Sequence, residues 1–342
     1  MKARLSVLGL RSGMARGIKT VLGIPWLNRA VSRIIATSGL LEEYRNHLLS
    51  THHDPVRRSL LDRLLYPGVL RYWLAEKYYP ERDPMVRERM KSILIEPGSR
   101  SWASTYDRQP FNLGCPLTAE LTLGEAVPLY LRLRTRIEEY TGKLDRQEKE
   151  GSKKGAARKD PLIIQIGVGS GRELAWFARQ FPGITCIGTD AFFGAVSYAG
   201  SRYRLPNLEF RLLPLERASE LLEDQREGRL FLYTSGLFHF VQPESVDGFL
   251  AYVSTFPELE LFVSEPVSLP RLEEEAFPEN SMPRAKPLSW THNYPRLVRR
   301  NHLTIHELIL TNHPYDDRPG EFGSVNCFIH ATPAGACESI DE

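Results

Sequence analysis

Between Leu162 and Phe181 the chain reads LIIQIGVGSGRELAWFARQF. An apolar run from Leu162 to Val168 enters three closely spaced glycines, Gly167, Gly169 and Gly171, and leaves as a segment rich in Ala, Leu and Phe. That order predicts a buried strand, a tight turn and a helix. Glycines in such a turn let a ligand approach the backbone closely at a helix N-terminus, where amide groups point outward. A dinucleotide fingerprint would need its third glycine at position 172, which is Arg172, so the spacing is G-x-G-x-G instead.

Working outward, short apolar runs alternate with helical patterns. Ile184 to Thr189, Leu208 to Leu213, Leu230 to Thr234 and Leu259 to Ser264 are further strand candidates. Strands separated by helices build a parallel α/β sheet whose ligands gather at the carboxyl ends of the strands. The second run ends in Asp190, 19 residues after Gly171. A carboxylate there can accept from both hydroxyls of a ribose, although Asp is also a common helix N-cap.

On the glycine turn and Asp190 the chain resembles the class I methyltransferases that use S-adenosylmethionine, from about Pro161 to Thr332. The resemblance implies a Rossmann-like α/β sheet with a final antiparallel strand. It also implies that Gly167, Gly169, Ser170 and Gly171 cradle the cofactor, with Asp190 and Ala191 at its ribose. The family carries an acid two residues before the first glycine; here that residue is Gln165, which can accept a hydrogen bond but has no charge. After the third strand, Leu215 would pack on the adenine and Glu216 would accept from its amino group. Ser235 and His239 fall in the loop after the fourth strand, the substrate-facing wall in the resembling family.

After the fifth strand a proline-rich segment, Pro266 to Ser289, is longer than the usual connection and suits a cover over substrate. It leads into Trp290, His292, Asn293 and Tyr294 at the entrance of a helix, where H-N-Y resembles bacterial proteins assigned as sugar O-methyltransferases. Leu303 to Leu310 and Val325 to Thr332, joined by HPYDDRPGEFG, read as the closing hairpin. The implied chemistry is in-line attack of an acceptor oxygen on a sulfonium methyl, for which the protein positions two reactants and accepts one proton. His292 is the first candidate base, because a helix N-terminus keeps an imidazole neutral, and His239 the second. Asn293 and Tyr294 would hold a small polar acceptor such as a sugar hydroxyl.

Three other readings stay open. An aminopropyl transferase shares the sheet but needs an acidic polyamine pocket, which the FLYTSG loop lacks. An N-methyltransferase is a second, and a degenerate fold serving as an interaction subunit is a third, favoured by Gln165 and a basic N-terminus. No spacing of His, Asp or Glu argues for a metal.

The 342 residues, 42% hydrophobic and 25% charged, suit about two globular domains and exclude collagen-like, wholly disordered or disulfide-framework chains. Net charge is +2, too balanced for a chain that coats nucleic acid over its whole surface. Cys115, Cys186, Cys327 and Cys337 form no C-x-x-C pair, which suits a reducing, cytoplasmic setting. Residues 1–41 carry seven Lys and Arg and no acid, interleaved with apolar residues, so peripheral contact with an anionic membrane is an expectation beside a targeting peptide or a packed arm. Residues 42–141 read as helical, apart from a loop from Glu96 to Pro116, with the last helix from Leu121 to Tyr140 and Pro128 kinking or starting it. Residues 142–160 (GKLDRQEKEGSKKGAARKD) read as a charged linker, and 161–342 as the methyltransferase-like domain.

Overall fold

The computed structural model describes residues 99–101, 103–104, 107, 128–149, 160–225, 228–269, 273–283, 289–312 and 324–335. The basic segment 1–41, most of 42–141 and residues 313–323 lie outside these. Strands β1 (Leu162–Ile166), β2 (Thr185–Asp190), β3 (Leu208–Leu212), β4 (Leu230–Ser235) and β5 (Leu259–Ser268) run parallel, and β8 (Leu303–Asn312) and β9 (Ser324–Pro333) complete the sheet in the order β3-β2-β1-β4-β5-β9-β8. In this sheet only β9 runs opposite to the other six strands, as the resemblance implies. The five apolar runs are therefore strands. β5 extends past its expected end at Ser264 to Ser268 because β9 pairs with it along that length.

Period-two alternation sends successive residues of each strand to opposite faces. Leu162, Ile164 and Ile166 join a core closed by α5 (Pro243–Val253) and α6 (Tyr294–Arg300). Ile163, Phe231 and Phe262 join the other core, closed by α1 (Pro128–Lys149) and α2 (Arg172–Gln180). Between these helices in the chain lie α3 (Phe193–Arg202) and the single turn α4 (Ser219–Leu222).

Two expected boundaries differ. Helix α1 is described over Pro128–Lys149 and runs well inside the expected 142–160 linker. Its end consists of good helix formers that need no burial, and Arg146 Nε donates to the Gly142 carbonyl on this stretch. Leu129, Tyr130, Leu133 and Ile137 bury against the sheet, so α1 is a layer of the sheet domain rather than part of a separate helical region. Ser99, Arg100, Ser101, Ala103, Ser104 and Asp107 are helical where a loop was expected. Asp107 accepts from the hydroxyls of Tyr198 and Tyr203, which fixes this piece on α3.

Within the long segment after β5, β6 (Met282–Pro283) pairs with β7 (Trp290–Thr291). Among the described residues no helix is long and apolar enough to cross a membrane.

Candidate active site

The strand order reverses between β1 and β4, and the crevice at the carboxyl ends of that pair is where an open α/β sheet holds its ligand. The glycine turn fills one wall. Gly167, Gly169 and Gly171 all have φ between 55° and 80°, a region that side chains with a Cβ rarely adopt. A Cβ on Gly167 would meet Leu237 Cβ at 2.9 Å, so the turn after β1 and the loop after β4 touch. A Cβ on Gly171 would meet Ala199 at 2.7 Å, which sets how closely α2 approaches α3.

Asp190 stands beside the turn as expected. One carboxylate oxygen accepts from the Gly169 N–H at 3.0 Å and the other from the Phe192 N–H at 3.0 Å. A carboxylate has about four acceptor directions, so these bonds aim the group and leave capacity for ribose hydroxyls. A nucleoside therefore fits the cradle: small glycines below it and a held carboxylate at its edge.

Several expected contacts are placed otherwise. Gln165 is 1% exposed and sits on the α1/α2 face, where it pairs across the sheet with Tyr233. Tyr233 Oη donates to its Oε1 at 3.0 Å, and its Nε2 donates to Glu173 Oε2 at 3.4 Å. Ser170 is fully buried and its hydroxyl accepts from the Arg172 N–H, so it braces the turn instead of facing outward. Leu215 is packed in the core beside Ala218 and Leu221, not at an adenine surface, while Glu216 is exposed. Ala191 is exposed and Ser235 half-buried. The apolar groups that do stand open at this edge are Phe193, 53% exposed just past Asp190, and Leu212, its cross-strand neighbour on β3. Either could cover an adenine ring.

The two histidines stand in different surroundings. His292 is fully buried, with Nε2 donating to the carbonyls of Phe238 and Val241 at 3.0 and 3.1 Å and Nδ1 accepting from Ser281 Oγ at 2.8 Å. Burial pushes its pKa down to about 4. It is neutral, as a base must be, but both nitrogens are engaged in pinning the loop after β4 to the segment after β5. Asn293 caps α6 by accepting from the Arg296 N–H and donates to the Pro278 carbonyl; Tyr294 is 1% exposed in the core. The expected acceptor-binding pair therefore serves structure.

His239 is different. Its Nδ1–H donates to Glu265 Oε2 at 3.2 Å, and Glu265 also accepts from the Leu237 N–H at 2.9 Å and the His239 N–H. Glu265, fully buried on β5, was missed in the sequence because 26 residues separate it from His239 and only the β4-β5 pairing joins them. A carboxylate on Nδ1 fixes the tautomer and assigns proton exchange to Nε2. Phe240 lies against the imidazole, ring centroids 3.8 Å apart.

A cavity of about 370 Å³ lies at the opposite end of the sheet, lined in part by Arg136, Arg229, Glu260, His306 and His330. It is remote from the glycine turn.

The sheet order with β9 alone antiparallel, the glycine turn at the reversal point and the acid at the tip of β2 define the class I S-adenosylmethionine-dependent methyltransferase fold. No family model matches the chain, and no curated protein does. Among solved structures it is similar to the Burkholderia thailandensis 1,6-didemethyltoxoflavin-N1-methyltransferase, crystallised with 1,6-didemethyltoxoflavin and S-adenosylhomocysteine: 15% identity, TM-score 0.41, covering 69% of this chain and 87% of that one. It is also similar to a SAM-dependent methyltransferase from Anabaena variabilis, at 17% identity and TM-score 0.36 over 51% of this chain and 77% of that one. A third is a TehB-like SAM-dependent methyltransferase from Corynebacterium glutamicum, at 15% identity and TM-score 0.34 over 58% of this chain and 99% of that one.

Proposed function

We propose that the chain transfers a methyl group from S-adenosylmethionine to an oxygen acceptor, with His239 as general base. The observation that carries this reading is the pairing, at 3.2 Å, of Glu265 on β5 with His239 on the loop that touches the glycine turn at Gly167. An amine already has a lone pair for attack once neutral, whereas a hydroxyl must shed a proton; an imidazole oriented by a buried carboxylate serves the second need.

When bound, S-adenosylmethionine supplies an electrophilic methyl on a sulfonium. The glycine turn and Asp190 hold the nucleoside, which aligns that methyl with the acceptor. His239 Nε2 takes the hydroxyl proton as the acceptor oxygen bonds to the methyl carbon, and Glu265 stabilises the imidazolium that results. Methyl transfer would leave the bonding pair on sulfur, so the chain would need no charged group beyond His239 and Glu265 at the reacting atoms.

Phe240, 37% exposed beside His239, favours a hydroxyl borne on an apolar or aromatic skeleton over the sugar hydroxyl that Asn293 and Tyr294 suggested. The test is release of S-adenosylhomocysteine over a panel of phenols, lipid alcohols and sugars, repeated with His239→Ala and Glu265→Gln. Turnover on a phenolic or lipid alcohol should fall roughly 10²- to 10⁴-fold in His239→Ala. Near-normal turnover of that variant across pH would remove His239 as the base, and turnover confined to amines would replace the acceptor class.

A further inference from the structure

The family pattern has an acid at the position of Gln165, and an ammonium held in a crevice needs a counter-charge. Four acids are buried among the described residues: Glu173, Asp190, Glu260 and Glu265. Asp190 is aimed by Gly169 and Phe192 at the ribose edge, Glu265 is bound to His239, and Glu260 lies at the far end of the sheet with Arg136 and His330. Glu173 is the one that reaches position 165. It is 3% exposed in the first turn of α2, directly after the glycine turn, with Oε2 3.4 Å from Gln165 Nε2.

We infer that Glu173 holds the negative charge that Gln165 lacks, and that it receives the amino group of the cofactor's methionine moiety, resting on the methyl-transfer reading above. The carboxylate has moved from the end of β1 to the start of α2, while Gln165 has become the spacer that fixes it. Tyr233 Oη donates to Gln165 Oε1 and so turns the amide, presenting Nε2 to Glu173. Tyr233 is a poor acid in this place, burial and the nearby Glu173 charge both raising its pKa, so it remains a donor that cannot compete for the ammonium. The first turn of a helix also favours the carboxylate form.

The test is calorimetric titration of the full chain with two probes, S-adenosylhomocysteine, which keeps the amino group, and 5′-methylthioadenosine, which lacks the amino-acid portion. In Glu173→Gln the affinity for S-adenosylhomocysteine should fall roughly ten- to a hundredfold, the worth of one charge-assisted bond, and that for 5′-methylthioadenosine should not change. The double variant Gln165→Glu/Glu173→Gln, which returns the charge to β1, should recover most of the lost affinity. Equal binding of S-adenosylhomocysteine by Glu173→Gln and the native chain overturns the inference, as does an equal loss for both probes. If Glu173→Gln does not fold, the double variant decides: binding 5′-methylthioadenosine but not S-adenosylhomocysteine overturns it. A native chain that binds neither probe overturns the cofactor reading itself, and the inference with it.

Discussion

His292 shows how one imidazole can be neutral, well placed in sequence and yet structural. Its folded pKa, about 4, lies below the ordinary 6.5 because burial disfavours the cation. The unfolded chain therefore binds a proton that the folded chain refuses as pH falls below 6.5. Stability conferred by His292 is complete above pH 6.5, declines as pH falls toward 4, and levels off below, a loss of about 3 kcal/mol. Denaturant midpoints measured from pH 7 to 4 should show that slope, and His292→Gln should flatten it while lowering stability at pH 7. Asp190 makes the complementary case. Its replacement by Ala leaves the N–H groups of Gly169 and Phe192 without their carboxylate partner, so it should cost about 1–3 kcal/mol in folding besides abolishing nucleoside binding. Asp190→Asn, which keeps one acceptor, should recover part of the stability; equal denaturant midpoints for the two would count against this account. Asp190 was legible in the sequence because its place depends on the local strand end. Glu173 and Glu265 were not, since each gains its role from a partner that the sheet brings to it.

At the scale of elements, α1 is attached to the sheet by an ion cluster as well as by its apolar stripe. Glu260, fully buried on β5, accepts from Arg136 on α1, from Arg229 ahead of β4 and from His330 on β9. Burial alone would raise its pKa, but the bonds from His330 and Arg136 and the charge of Arg229 outweigh it and hold the value at about 2. Because the folded value is depressed below 4.5, this stabilisation is present above pH 4.5 and disappears as pH falls through 2. Glu260→Ala should destabilise by about 1–3 kcal/mol at pH 7, since Arg229 and Arg136, both only partly buried, and His330 lose their shared acceptor. A cost under 1 kcal/mol in a denaturant titration would mean that solvent screens the cluster. The strands were legible because each is a short apolar run bounded by turn residues. The attachment of α1 was not: its outer face and its last turns are charged, and Glu260, the ion partner of Arg136, lies 124 positions away in the chain.

At the scale of the whole chain, the sheet domain cannot begin at the expected boundary near 161. A fragment starting there would lose α1 and uncover part of the face that holds Phe231 and Phe262, both fully buried in the intact chain. It should unfold without a cooperative transition by calorimetry, whereas a sharp transition like that of the full chain would show α1 to be dispensable. The seven charges of residues 1–41 invite a separate measurement. Full-length protein should pellet with anionic vesicles, and less so in high salt, while a chain starting at Leu40 should stay in solution; equal pelleting would discount the segment.

The contact between Gly167 and Leu237 also has a kinetic meaning. With only 2.9 Å between a would-be Cβ and the opposing side chain, the turn that grips the nucleotide and the loop that bears His239 share one small clearance. A side chain added at 167 would therefore press on Leu237 and through it on the loop that bears His239. Enlarging the residue at 167 should then lower turnover at saturating cofactor as well as cofactor affinity.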